Sequence, residues 1–322
     1  MSHGGFELSR PESVRSVCQS DDFIEQSRIL QMGTPPNINE RSDTELKWLI
    51  AFFALTFAFS WTLWLPKVAV ASGTETEIAM IDDLIAGIAS LPEIGAFGPA
   101  VAAILLLYHH AGRRGVTQLL KRAIDVSFPR RWFIPVLILF PVLAIGALGV
   151  AVTMGAEPTL PWTGEAYVLP IAFVYILFLG GPLQEEFGWR GYALEPLIER
   201  FGALTGSLGL GIIWGLWHLP WFYMPSMTMY YQRPLTGFLI TITLLTVVMT
   251  WVFQNTGGSL APMILLHTSF NWSLWAFPAI ESDTGGQVFI LLVLVLVVLI
   301  ALRHGPMDFS SRKTTATGTA AL

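Results

Sequence analysis

The apolar positions of this chain fall in long runs, each about as long as the roughly 20 residues that a helix needs to cross a bilayer. Eight such runs stand at 47–66, 91–108, 131–154, 167–186, 202–222, 235–253, 259–279 and 287–303. The pattern predicts an all-α fold, a polytopic bundle of about eight transmembrane helices with both termini cytoplasmic. Two local signals refine it. Ser42 and Glu45 form an S-x-x-E capping box ahead of the run that begins near Leu49, predicting where the first helix starts. Gly180, Gly181 and Pro182 interrupt the fourth run just before its charged end and predict a kink or a re-entrant break.

Composition supports the membrane reading. Of the 322 residues, 53% are hydrophobic and only 13% charged, and the mean hydropathy of +0.59 lies outside the range of soluble globular chains. Residues 1–46 contain no apolar run and carry Glu7, Glu12, Asp21, Asp22 and Glu25, so they do not resemble a signal peptide. They read as an uncleaved, mostly disordered cytoplasmic tail. Residues 47–303 then form the transmembrane domain, and 304–322 a short cytoplasmic tail. Cys18 is the single cysteine, which excludes an internal disulfide and a cysteine-based metal site.

The net charge of -5 says less than where the charges lie. A cytoplasmic N-terminus leaves only Lys67 and Arg233, of 18 Lys and Arg, on the far side of the membrane. The far loops instead hold acids such as Glu75, Asp82, Glu157 and Asp283. The loop from His109 to Arg131 is the strongest basic anchor and is suited to anionic lipid. The partners expected are the lipid bilayer and a peptide or protein substrate at the membrane, with no nucleic acid, in a multi-pass protein of the cell membrane.

An ionisable residue at membrane depth costs several kcal/mol unless it meets a partner or a wet cavity, so each one is a candidate functional group. Three clusters stand out. In Gln184-Glu185-Glu186-Phe187-Gly188-Trp189-Arg190, Glu186 and Arg190 have ion-pair spacing, while Glu185 points about 100° away and is left to face a cavity. Both acids could instead simply end the helix in water. Glu185 at an inner helix end also predicts a cavity opening towards the cytoplasm. In the second cluster, His218 shares a face with Trp214, which can wall its pocket. In the third, His267 and Asn271 lie four residues apart on one face, aimed at a shared target. His and Asn can also be ordinary interhelical hydrogen-bonding groups.

The combination is more telling than any one cluster, because His3, His109, His110 and His304 all fall in tails or loops. A carboxylate near an imidazole can polarise a water, with Glu185 as general base. A second imidazole and an amide can donate to a developing oxyanion. Those are the parts of an amide hydrolase. A proton or cation path through the same residues is the transport alternative, weakened by the lack of an internal repeat.

The order EExxxR, aromatic-x-x-x-H, HxxxN on successive spans resembles the CPBP family, the type II CAAX prenyl endopeptidases with their bacteriocin-processing and Abi relatives. The matching residues are Glu185, Glu186 and Arg190, then Trp214 and His218, then His267 and Asn271, all within about 175–280. The resemblance implies an intramembrane endopeptidase acting on a membrane-associated or lipidated peptide. Glu185 and His218 would activate water, His267 and Asn271 would stabilise the oxyanion, and Glu186, Arg190 and Trp214 would give structural support. Trp214 stands where the family usually has Phe, which keeps an aromatic wall but enlarges it. The family has been called metalloproteases, and Glu185, His218 and His267 would suffice for an open zinc site. With no H-E-x-x-H helix, the expectation leans to a metal-free glutamate mechanism. A non-catalytic immunity or scaffold protein is the remaining alternative.

Overall fold

The computed structural model describes residues 38–311, with side chains from Glu45 onward. The chain divides into two units, Met1–Leu46 and Lys47–Leu322, and the bundle below belongs to the second. The tail expected to be disordered lies largely outside the described residues, as does the end of the chain beyond 311.

All regular secondary structure among the described residues is helical, with no strand among them. The helices are α1 (Ile38–Ala71), α2 (Ala79–Ala89), α3 (Gly98–Ala123), α4 (Phe133–Thr153), α5 (Val168–Leu179), α6 (Pro182–Gly188), α7 (Leu194–Trp217), α8 (Leu235–Asn255), α9 (Ala261–Ala276) and α10 (Asp283–His304). A π turn over Trp189–Ala193 joins α6 to α7, and a 3₁₀ turn over Leu219–Tyr223 follows α7.

Five helical stretches are long and apolar enough to cross a membrane: Glu45–Ala71, Arg130–Thr153, Val168–Tyr223, Leu235–Asn255 and Asp283–His304. The third covers two of the expected runs. The runs at 91–108 and 259–279 fall outside these five. In α3 the apolar part gives way to His109, His110, Arg113 and Arg114, and α9 has only 16 residues.

Several local expectations change. Ser42 lies inside α1, which already runs at Ile38, so it is not the N-cap. A polar segment can continue a helix into water without any apolar face, and the apolar run does not mark the helix start. The expected basic loop at 109–131 is mostly helix, since after a break at Gly112 (φ 57°, ψ -153°) a second helical stretch of α3 runs to Ala123. Within it Arg122 is a clamp rather than a free cation, donating to the carbonyls of Gly258 (2.9 Å) and Gly191 (3.3 Å) and pairing with Glu195 (3.4 Å).

α4 shows how an all-apolar helix is oriented. Val136, Phe140, Ala144, Ala147 and Ala151 are buried in the bundle, while Ile134, Ile138, Val142 and Ile145 are exposed on the opposite face. Both faces are apolar because one meets protein and the other meets lipid. α10 repeats this with Phe289, Val293, Val297 and Ile300 inside and Leu291, Val295, Val298 and Leu302 outside. Inside the bundle, α7 packs most extensively on α8, α9 on α4, and α3 on α6.

The break at Gly180–Pro182 is present. α5 ends at Leu179, Gly181 has φ 105°, and α6 restarts at Pro182. The freed backbone groups are satisfied by Gln184, whose Oε1 accepts the Gly181 N–H (2.8 Å) and whose Nε2 donates to the Phe178 carbonyl (3.2 Å). This is the condition for interrupting a helix at membrane depth. The helix that restarts at Pro182 does not stop at the charged cluster. It continues through the π turn into α7, which breaks at Gly202 (φ 77°, ψ 166°); beyond it the N–H groups of Ala203 and Leu204 donate to the carbonyls of Met307 and Pro306, and a second helix runs to Trp217. Glu185 therefore sits in the first turn of α6 and opens a helical segment instead of closing one. Such a segment tolerates charge because Glu185, Glu186 and Arg190 all find partners inside the protein.

Candidate active site

The first cluster lies on α6 and the π turn, wedged against α3. Gly188 makes this approach possible, because a Cβ there would meet the backbone of Pro99 at 2.5 to 2.6 Å. One turn on, a Cβ at Gly191 would meet side-chain methyl groups instead, of Leu119 at 2.6 Å and Leu260 at 3.2 Å. Small residues three apart thus bring one side of the helix onto α3, and the opposite side carries the charges inward. A π turn adds one residue to the local helical turn, a distortion frequent at functional sites.

Glu186 and Arg190 form a fully buried ion pair, Nη1 to Oε1 at 2.9 Å. His267 brings α9 onto the same oxygen, its Nδ1 2.8 Å from Glu186 Oε1. Arg190 also reaches Thr246 Oγ1 on α8 (3.4 Å). One carboxylate therefore ties three elements together. His267 and Asn271 do not point at a common target through their bonded atoms. Asn271 Nδ2 donates to the Gly180 carbonyl at the α5–α6 break (3.1 Å). The shared helix face was readable in sequence, but the partners from other helices were not.

Glu185 is buried beside this pair but is engaged differently. Its Oε2 accepts the indole N–H of Trp214 at 2.6 Å. Its Oε1 lies against Gly181, where an added Cβ would come within 2.5 Å of it. Glu185 is thus not free-standing in a cavity, and Trp214 is not only a wall. The Trp214 carbonyl also takes the Nδ1 of His218 at 2.9 Å. A carbonyl only accepts, so the ring proton is on Nδ1, and Nε2 keeps its lone pair.

His218 sits in an aromatic enclosure. Trp217 and Trp221 meet it edge-on with centroids 4.8 and 4.7 Å away, Phe238 does so at 5.2 Å, and Tyr230 stacks on it at 6.0 Å. Burial and then the Glu185 charge push the Tyr230 phenol up from its ordinary value, so it stays protonated. Tyr230 and Phe238 escaped sequence reasoning because neither is an ionisable group inside an apolar run. Their one signal is the aromatic content of the segment that follows His218.

Among the described residues, no three His, Cys, Asp or Glu side chains form a group that could hold a metal ion. Glu185, His218 and His267 are each turned to a protein partner through Oε2, Nδ1 and Nδ1, and as placed they do not make a zinc site.

What remains is a buried carboxylate, an imidazole bonded through Nδ1 to a carbonyl, and an amide and a second imidazole on a neighbouring helix. A membrane hydrolase has this chemistry, and the likenesses to known proteins agree. The family model described as type II CAAX prenyl endopeptidase Rce1-like matches residues 167–273, a window containing all seven motif residues. A "CAAX prenyl protease 2" of Methanococcus maripaludis is 24% identical over 242 residues, covering 72% of this chain and 86% of the relative. These likenesses support the CPBP family of membrane proteases and indicate a CAAX-protease-like hydrolase, and the long apolar helices make the chain a multi-pass membrane protein. The transport and non-catalytic readings are not favoured by these likenesses.

Proposed function

We propose that Glu185 and His218 activate a water molecule that hydrolyses a peptide bond in a membrane-associated substrate. The water oxygen bonds to the carbonyl carbon as Glu185 takes its proton, with His218 Nε2 accepting a hydrogen bond from the same water. Asn271 and His267 stabilise the negative oxygen that results. When the C–N bond breaks, the proton held by Glu185 passes to the leaving amine. Glu186 and Arg190 hold the first motif in place. The observation that carries this reading is the buried Glu185 carboxylate, whose hydrogen bond comes from the uncharged indole N–H of Trp214, together with His218, whose Nδ1 is bonded to the carbonyl of the same residue.

The relative's name points to a prenylated CAAX peptide as the substrate class to test first. Peptidomics of cells carrying the native chain against cells carrying E185Q tests the reading directly. A peptide produced only with the native chain supports it, and cleavage that persists with E185Q overturns it. A metal-free reaction is part of the proposal. Purified protein stripped by chelation should keep full activity, and stoichiometric zinc lost together with activity would replace this mechanism by a metal-assisted one.

A further inference from the structure

We propose that Trp214 is a positioning residue for the hydrolytic reaction, its indole N–H holding one oxygen of Glu185 so that the other faces the break between α5 and α6. The proposal rests on the reading of Glu185 as the water-activating carboxylate.

The geometry is specific to an indole. Nε1 of Trp214 donates to Glu185 Oε2 at 2.6 Å, and both residues are buried. With that oxygen fixed, Oε1 is set beside Gly181, next to the Gly180 carbonyl that Asn271 holds. The same residue sets His218, because its carbonyl takes the imidazole Nδ1 at 2.9 Å. Both members of the water-activating pair are therefore referenced to Trp214, one through its side chain and the other through its backbone.

The ring is itself held in place. The guanidinium carbon of Arg190 stands 4.3 Å over its face, and the His267 ring meets it edge-on at 5.2 Å. A cation over the π face draws ring electron density towards itself and leaves the N–H more positive, hence a stronger donor to a carboxylate. Arg190 thus acts on both glutamates, on Glu186 by direct pairing and on Glu185 through the indole. A neutral donor also holds Glu185 without cancelling its charge, which a base must retain. Phenylalanine, the usual residue at the corresponding position of related motifs, would preserve the face over Arg190 and lose the donor.

The test uses the full-length chain in detergent or vesicles, with two replacements at position 214. W214F removes the N–H and shrinks the ring. β-(3-Benzothienyl)alanine, introduced by nonsense suppression, puts sulfur where the N–H was and keeps the bicyclic outline. The probe is a fluorogenic peptide ending in a prenylated CAAX sequence, assayed with the native chain, E185Q and both variants. Both variants should lower kcat roughly ten- to hundredfold with KM within about twofold of native, and the benzothienyl variant should keep the native melting temperature. Native kcat in the benzothienyl variant, or a loss confined to KM, would overturn the proposal and return Trp214 to a pocket wall. Should W214F fail to fold, the benzothienyl variant decides alone. Cleavage by E185Q would sink the underlying assignment of Glu185, whereas an inactive E185Q with a fully active benzothienyl variant would sink only the role of Trp214.

Discussion

The two adjacent glutamates of the first motif share the field of His267 and Arg190 but differ in their direct partners. Glu186 faces two nitrogen groups, from Arg190 and His267, on a single oxygen, and its charge is consumed in joining α6, the π turn and α9. Glu185, one residue earlier, receives an uncharged indole N–H and borders a glycine at a helix break. The 100° between successive helical residues is enough to separate them. The comparison teaches that burial alone does not mark a working group. A buried charge neutralised by partners is structural, and one held but not neutralised is available for chemistry.

Exchanging the two carboxylates for amides should break the symmetry of the pair. E185Q keeps an oxygen for the Trp214 N–H and should melt like the native chain while losing about 100- to 10,000-fold in kcat, the range of a general base. H218A should lose activity on the same scale. Equal melting-temperature losses in E185Q and E186Q would erase the distinction. E186Q and R190A each strand a buried charge, and either should destabilise the bundle by roughly 3–5 kcal/mol in reversible unfolding. The third effect is steric. G188A drives a methyl into the Pro99 backbone and should lose about 1–3 kcal/mol by overpacking α6 on α3. The smallest effect lies on the lipid face of α4, where I138A should shift stability by no more than about 0.5 kcal/mol. A larger loss there would mean that this face is covered by protein.

Much of this was legible in the chain. Long apolar runs gave the helices, and the rarity of Glu185, Glu186, Arg190, His218, His267 and Asn271 inside them picked out the three motifs. The Gly180-Gly181-Pro182 break was readable because proline and glycine act locally. The contacts that divide the labour were not. His267 meets Glu186 across 81 residues, and Asn271 turns to Gly180 across 91. Such pairings depend on how each helix is rotated about its own axis, and a helix apolar on all sides carries no periodicity from which to read that rotation. Trp214 in place of Phe was a visible signal, but only the indole N–H pointing at Glu185 gives it meaning. Gly188 and Gly191 also showed their spacing in sequence without showing which neighbour they admit.

The π turn at Trp189–Ala193 has an evolutionary reading. A turn that holds one residue more than an α-helical turn is the trace of a single inserted residue. Upstream of it lie Glu185 and Glu186, and downstream the helix runs on to the break at Gly202, beyond which a second helix carries Trp214. Removing that residue would rotate the helix as far as Gly202 by about 100° and shift it by about 1.5 Å, displacing the base on which the indole-bearing helix stands without altering any motif. Lineages of this chain should therefore gain and lose residues freely in connectors such as 72–78, and keep the count from Pro182 to His218 fixed.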